Sequence, residues 1–272
     1  MKRLTVIKTV APDDQMNAVD FLAAVSGLSR VQIKDAMHKG ALRRIRKGEK
    51  ATRLRKATAS LHPGDCIEFY YDEALLATVP PQAILIEDKG LYSVWNKPAG
   101  LLTQGSLYGD HCALLRQAEQ YFTPRREVYP IHRLDREASG LLLIAHSRQA
   151  AAKFSELFRQ GKVDKIYRAE VRGNLAKHSP EGIIDAPIDG KEARTGYRVI
   201  AYREDSTTTV VEVRIDTGRL HQIRRHLDGI GFPVVGDPRY GRGNKNTEGL
   251  RLSATALHFA CPFTGIPVTF SL

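Results

Sequence analysis

The chain has 272 residues, enough for one large domain or a large and a small one, and at 42% hydrophobic and 26% charged it has an ordinary globular composition. No apolar run approaches the length of a membrane span, so no membrane partner is expected. The formal net charge of +11 and the pI near 9.6 point instead to a polyanionic partner.

Cys66, Cys112 and Cys261 are odd in number, far apart and at no metal-ligand spacing; reduced thiols in a cytoplasm are the expectation. The start, MKRLTVIKTV, lacks the apolar stretch of a secretion signal, because Thr5, Lys8 and Thr9 interrupt it. It reads as a first strand, Leu4 to Val10. A helix follows from about Met16 to Val25, with Ala18, Phe21, Leu22 and Val25 on one face and Gly27 as C-cap. Ser29 opens a second helix, and Gln32 three residues on completes a capping box. Ile33, Ala36 and Met37 share its buried face, and Gly40 ends it.

From Lys39 to Lys56 nine basic residues stand against one acidic residue, Glu49. A solvated basic face is the plain reading of such a run. At this density self-repulsion destabilises a fold unless something neutralises it, and phosphates are the expected neutraliser. Arg43, Arg44, Arg46 and Lys47 are therefore candidate RNA contacts. A turn at Pro63–Asp65 and a strand at Cys66–Tyr70 close this part. Two short helices, a basic segment and a Gly-Asp turn before a strand resemble the small α-L RNA-binding domain of ribosomal proteins. Where such domains carry a Val-x-Val-Asn-Gly type of turn, this chain reads Ala41-Leu42-Arg43-Arg44-Ile45-Arg46-Lys47-Gly48.

Thr78-Val79-Pro80-Pro81 reads as a stiff linker. Strands are expected at Ile84–Glu87 and Leu91–Trp95 around the turn Asp88-Lys89-Gly90, and then the turn Asn96-Lys97-Pro98-Ala99-Gly100. Lys97 beside that turn is a candidate phosphate ligand. After a helix at Ala113–Tyr121 comes the densest stretch, YPIHRLDREASGLLLIAH, from Tyr129 to His146. His132, Arg133, Asp135, Arg136 and Glu137 crowd a loop, Ala138-Ser139-Gly140 makes a hinge, and Leu141–Ala145 reads as a strand buried on both faces. A carboxylate among arginines beside a buried strand is an ordinary loop salt bridge or a catalytic group.

Ser147 can cap a helix that turns Ala151, Phe154, Leu157 and Phe158 inward and stops at Gly161. In the strand Lys165–Val171, Tyr167 falls on the apolar face with Ala169 and Val171. Gly173 to Asp205 reads as loop-rich, with an edge segment at Ile183–Ile188. Thr207–Asp216 alternates, with Thr209, Val211, Val213 and Ile215 on one face. The run from Thr217 to Leu227 turns from strand to helix, where Leu220, Arg224 and Leu227 would share a face. An arginine between two leucines is expected to be buried, and a buried guanidinium needs a carboxylate. Gly236–Gly241 forms another tight loop. Thr255–Phe259 is a short element, and Ile266–Leu272 is the last strand.

HRLDREASGLLLIA, KIYRAEVRG, TGRLHQIRRHL and GFPVVGDPRYG, in that order, resemble the RluA-type pseudouridine synthases, and NKPAGLL upstream fits them as well. The resemblance spans roughly Ile84 to Leu272. It implies an α+β fold: a catalytic domain at 84–272 with a long bent mixed or antiparallel sheet flanked by helices, joined by a linker at 79–83 to a small α-L-type domain at 1–78. It implies conversion of uridine to pseudouridine in structured RNA, large-subunit rRNA before tRNA, with no cofactor and no metal, by a monomer. Asp135 matches the catalytic aspartate, Tyr167 the tyrosine under the target base and Arg224 the basic partner of the aspartate. Arg133 matches the arginine that fills the space of the flipped nucleotide, and His132 belongs to the RNA-facing motif. The competing expectations are a non-catalytic RNA-binding or ribosome-assembly protein, and a ribonuclease using His132, His221 or His226 as acid and base.

Overall fold

The computed structural model describes residues 2–14 and 16–272, and the chain divides into two compact units. One comprises the span up to Pro80 together with Gln104–Gln117. The other comprises Pro81–Thr103 and Ala118–Leu272.

In the first unit β1 (Arg3–Thr9) is followed by α1 (Ala18–Ser26), α2 (Arg30–His38), β2 (Leu42–Ile45), β3 (Thr52–Arg53), β4 (Cys66–Asp72) and α3 (Glu73–Leu76). The strands pair antiparallel in the order β1-β4-β2-β3. Phe21, Leu22, Ile33, Met37, Leu42, Ile67 and Phe69 form its core. The helix ends follow their capping chemistry. The Asn17 side chain accepts from the Val19 and Asp20 amides, Gly27 closes α1 at φ 65°, and Ser29 and Gln32 cap α2 reciprocally.

The basic segment departs from expectation, because five of its nine cations already have carboxylate partners within the unit. Lys39 meets Asp35 at 2.9 Å, Arg43 meets Glu68 at 3.3 Å, and Arg46 meets Asp65 at 3.4 Å. Arg53 at 3.0 Å and Arg55 both hold Asp110. That double bond explains why Gln104–Gln117, expected in the catalytic part, belongs to this unit. The Asp110 amide also donates to the Lys39 carbonyl at 3.0 Å. Arg44, Lys47, Lys50 and Lys56 make no ion pair among the described residues, so charge open to phosphate is concentrated there.

The second unit carries β5 (Ile84–Asp88), β6 (Tyr92–Lys97), β7 (Tyr129–Pro130), β8 (Ser139–Ala145), α5 (Arg148–Arg159), β9 (Val163–Arg172), α6 (Leu175–His178), β10 (Glu181–Asp185), β11 (Arg194–Arg203), β12 (Thr208–Ile215), α7 (Gln222–Gly229), β13 (Leu252–Ala260) and β14 (Pro267–Ser271); α4 (Leu114–Tyr121) lies between β6 and β7 in sequence. Ten strands form one mixed sheet in the order β10-β11-β12-β9-β13-β8-β6-β5, with β14 added beside β13 and β7 beside β8. Among the described residues only β13 and β8 run parallel. Leu141 to Ala145 of β8 are all fully buried, as an unbroken apolar run in mid-sheet requires. No helix among the described residues is long and apolar enough to cross a membrane.

The stretch Gly173–Asp205 is more ordered than its sequence suggests. It holds α6 and the ten-residue strand β11, and β10 is indeed the edge strand. In β11 only Thr195 and Tyr197 are buried, and a bulge between Val199 and Ala201 breaks the register, so the two-residue alternation fades half-way.

The hinge before β8 needs its glycine. Gly140 sits at φ 109°, and a Cβ there would lie 2.2 Å from the Ala254 carbonyl oxygen of the parallel neighbour β13. Gly140→Ala is expected to lower stability in urea by more than about 2 kcal/mol, from backbone strain plus the clash. An unchanged urea midpoint would contradict that contact.

Candidate active site

Asp135 lies in the loop between β7 and β8, and the backbone of the residues on both sides of it is pinned. The Thr103 hydroxyl accepts from the Leu134 amide at 3.1 Å and donates to the Leu134 carbonyl at 3.0 Å. The Arg136 carbonyl accepts from the Gly100 amide at 2.7 Å and from Lys97 Nζ at 3.3 Å. The turn Asn96–Gly100 therefore serves the loop as a brace. Lys97 is fully buried and also donates to the Leu101 and Pro98 carbonyls at 2.8 and 3.0 Å. Burial pushes its pKa down to about 8, against the pull of Asp135 and Glu137. This corrects the expected phosphate contact: an ammonium spent on three carbonyls in the interior cannot reach RNA.

Arg224 comes from the first turn of α7. The buried Gln222 amide ties that turn down, accepting from Thr217 Oγ1 and the Arg219 amide and donating to the Arg194 carbonyl and Thr195 Oγ1. His221 precedes it in the left-handed region at φ 54°, and the helix begins only at Gln222. Leu220 is thereby outside the helix and 55% exposed, so the face it was expected to share with Arg224 and Leu227 does not exist. Arg224 is nonetheless buried, at 1% exposure; two carboxylates accept hydrogen bonds from it and a third, Glu137, lies 4.0 Å from Nη1. Nη1 donates to Asp135 Oδ2 at 2.9 Å; Nε and Nη2 fork onto Asp237 Oδ2 and Oδ1 at 2.6 and 2.7 Å. Burial works against the guanidinium charge, but the bonds to Asp237 and Asp135 outweigh it and raise the pKa. Burial likewise opposes the Asp237 charge, yet Arg224 and the Arg239 and Tyr240 amides hold that carboxyl below its usual range.

These groups open on a cavity of 270 Å³ lined by Arg133, Asp135, Tyr167, Leu220, His221 and Arg224 among others. Tyr167 is 8% exposed, and its hydroxyl makes no hydrogen bond among the described residues. Burial, and then the charge of Asp135, raise its pKa and keep the phenol neutral. Arg133 is exposed and makes no ion pair among the described residues. The remaining oxygen of Asp135, Oδ1, likewise has no hydrogen-bond partner among them.

The histidines separate into different roles. His221 Nε2 lies 3.8 Å from Asp135 Oδ2, and Nδ1 bonds the Tyr240 hydroxyl at 3.0 Å. Burial lowers its pKa, so a neutral ring faces the carboxylate. His226 is turned to Thr195 Oγ1 and the Ala186 carbonyl, at 2.9 and 3.0 Å. His132, expected in the RNA-facing motif, points inward: Nε2 accepts from the Leu143 amide at 3.0 Å, and the ring stacks on Phe158 at 4.6 Å. No two of the three rings face one reaction centre. Sequence reasoning missed Asp237 and Thr103. The signal for Asp237 was available, since an arginine buried between apolar residues invited a search for every nearby carboxylate in a tight loop.

A family model described as RNA pseudouridylate synthase matches residues 91–228. The chain belongs to that family. It is 36% identical over 210 residues to the ribosomal large subunit pseudouridine synthase D of Nitrosomonas europaea, covering 69% of this chain but 59% of that protein. It is 35% identical to the tRNA pseudouridine synthase C of Haemophilus ducreyi, over 69% of this chain and 89% of that one. The structure of human RNA pseudouridylate synthase domain containing 1 shares the fold, with a TM-score of 0.60 at 22% identity over 72% of this chain and 86% of that one.

In this member of the family, the burial of His132 is expected to make stability depend on pH. Burial pushes its pKa down to about 3 from an ordinary 6.5. As pH falls below about 6.5 the unfolded chain takes up the proton and the folded one does not, so stability drops from there towards pH 3. His132→Gln keeps an acceptor for the Leu143 amide without titrating. Its urea stability is expected to fall less steeply between pH 6.5 and 4; parallel curves for variant and wild type would contradict this.

Proposed function

We propose that this chain isomerises uridine to pseudouridine in large-subunit ribosomal RNA, with Asp135 as its catalytic carboxylate. The observation that carries the reading is Asp135 itself. One of its oxygens is fixed by a buried arginine at 2.9 Å, and the other has no hydrogen-bond partner among the described residues, in a cavity that also holds Tyr167. A carboxylate held in that way can act as nucleophile or base. The reaction breaks the glycosidic bond, turns the uracil and joins its carbon 5 to the sugar, with no net redox change. It therefore asks for a positioned carboxylate and a surface for the base. Taking the base out of the stack costs roughly a few kcal/mol. An aromatic face under the base, here Tyr167, returns part of that, on the order of 1–3 kcal/mol. Arg133 is proposed to occupy the vacated position in the RNA, a role its exposure supports.

The first unit is proposed to supply affinity, with the unpaired Arg44 and Lys47 as its phosphate contacts and the ion-paired Arg43 and Arg46 contributing less. The enzyme is proposed to act as a monomer, without a cofactor, in the cytoplasm. Large-subunit rRNA is preferred to tRNA on the name of the Nitrosomonas europaea relative and the presence of that first unit. The test uses ribosomal RNA labelled with tritium at carbon 5 of uridine. Wild type is expected to release tritium, and Asp135→Asn to bind the RNA with unchanged affinity and release only background. Near-wild-type release by the variant would contradict the role of Asp135, and release from tRNA alone would contradict the substrate.

A further inference from the structure

Arg224 already has counter-charges in Asp135 and, at 4.0 Å, Glu137, so a further carboxylate, Asp237, buried to 1% exposure beside it, is not needed to neutralise it. Burying an additional charge is costly, so its presence asks for a consequence. The geometry shows one. The guanidinium offers a planar fork that binds a carboxylate through two parallel bonds wherever it can. Here that fork is taken by Asp237, through Nε and Nη2, which leaves Asp135 a single bond from Nη1. Asp237 is itself immobile. Its Oδ1 also accepts from the Arg239 and Tyr240 amides at 2.8 and 3.1 Å. The loop bearing it turns at Gly236, at φ 73°, where a Cβ would run into the Gly249 carbonyl. The Tyr240 ring lies 5.2 Å from the guanidinium carbon.

We propose that Asp237 is a positioning residue for the isomerisation: by occupying the fork of Arg224 it prevents the arginine from closing on both oxygens of Asp135, and so keeps one carboxylate oxygen free and only partly neutralised. This rests on Asp135 being the reacting carboxylate. A carboxylate present only for folding would show in stability alone. A carboxylate that sets how Arg224 meets Asp135 shows in the rate at saturating RNA.

The test is the single-turnover rate and the RNA dissociation constant of Asp237→Asn, measured at a temperature where the variant is folded. Asparagine keeps the shape and an acceptor for the two backbone amides but surrenders the fork to Asp135. The rate at saturating RNA is expected to fall more than tenfold with the dissociation constant within twofold of wild type. Asp237→Glu keeps the charge but displaces the fork. It is expected to lose rate at unchanged affinity too, less severely, and it serves alone if Asp237→Asn does not fold. A wild-type rate in either folded variant, or a loss confined to affinity, overturns the proposal. Asp135→Asn run alongside separates the failures: if that variant turns over, the reading of the site is wrong; if it is inactive while the Asp237 variants behave as wild type, only the role of Asp237 falls.

Discussion

A single guanidinium, buried at 1% exposure and shared between Asp135 and Asp237, is the constraint on which the rest of the second unit depends. It joins three segments: the loop before β8, distant in the chain, and the first turn of α7 and the Gly236–Gly241 loop, which lie close together in sequence. A charge in that position is tolerable only if its hydrogen bonds are made. The sheet provides the means. β8 in mid-sheet carries the Asp135 loop, β9 presents Tyr167 from its buried face, and the turn after β12 delivers Arg224. Thr103 and Lys97 then hold the carbonyls of the residues on either side of Asp135, so the carboxylate is aimed by backbone as well as by its ion pair.

Much of this was legible in the sequence because it rests on short-range rules. The caps at Ser29 and Ser147, the buried run Leu141–Ala145 and the alternation that puts Tyr167 inward are local signals, and each holds. The need of Arg224 for a carboxylate was readable as well. What failed did so where tertiary partners decide. Lys97 looked like a surface cation because lysines at turns usually are, but three carbonyls converge on it. Leu220 lost its helical face because the chain passes through a left-handed residue at His221. β11 reads as loop in the sequence because its alternation fades at a bulge.

The first unit teaches a related lesson about charge. Nine cations in eighteen residues read as a phosphate-binding face, yet the fold answers five of them with its own carboxylates, one of which, Asp110, is supplied from a distant stretch of chain. Net charge survives such pairing as a long-range field, so the preference for a polyanion stands. The individual contacts do not follow from the count of basic residues. They fall to the cations left over.

The most direct measurement of the central claim is a double-mutant cycle on folding stability with Asp135→Asn, Arg224→Met and the pair together, by urea denaturation at neutral pH. If Arg224 holds Asp135 as a buried ion pair, the two changes are expected to be coupled by at least about 1 kcal/mol. Effects that add to within about 0.3 kcal/mol would contradict the account, because they would mean that the two side chains do not depend on each other.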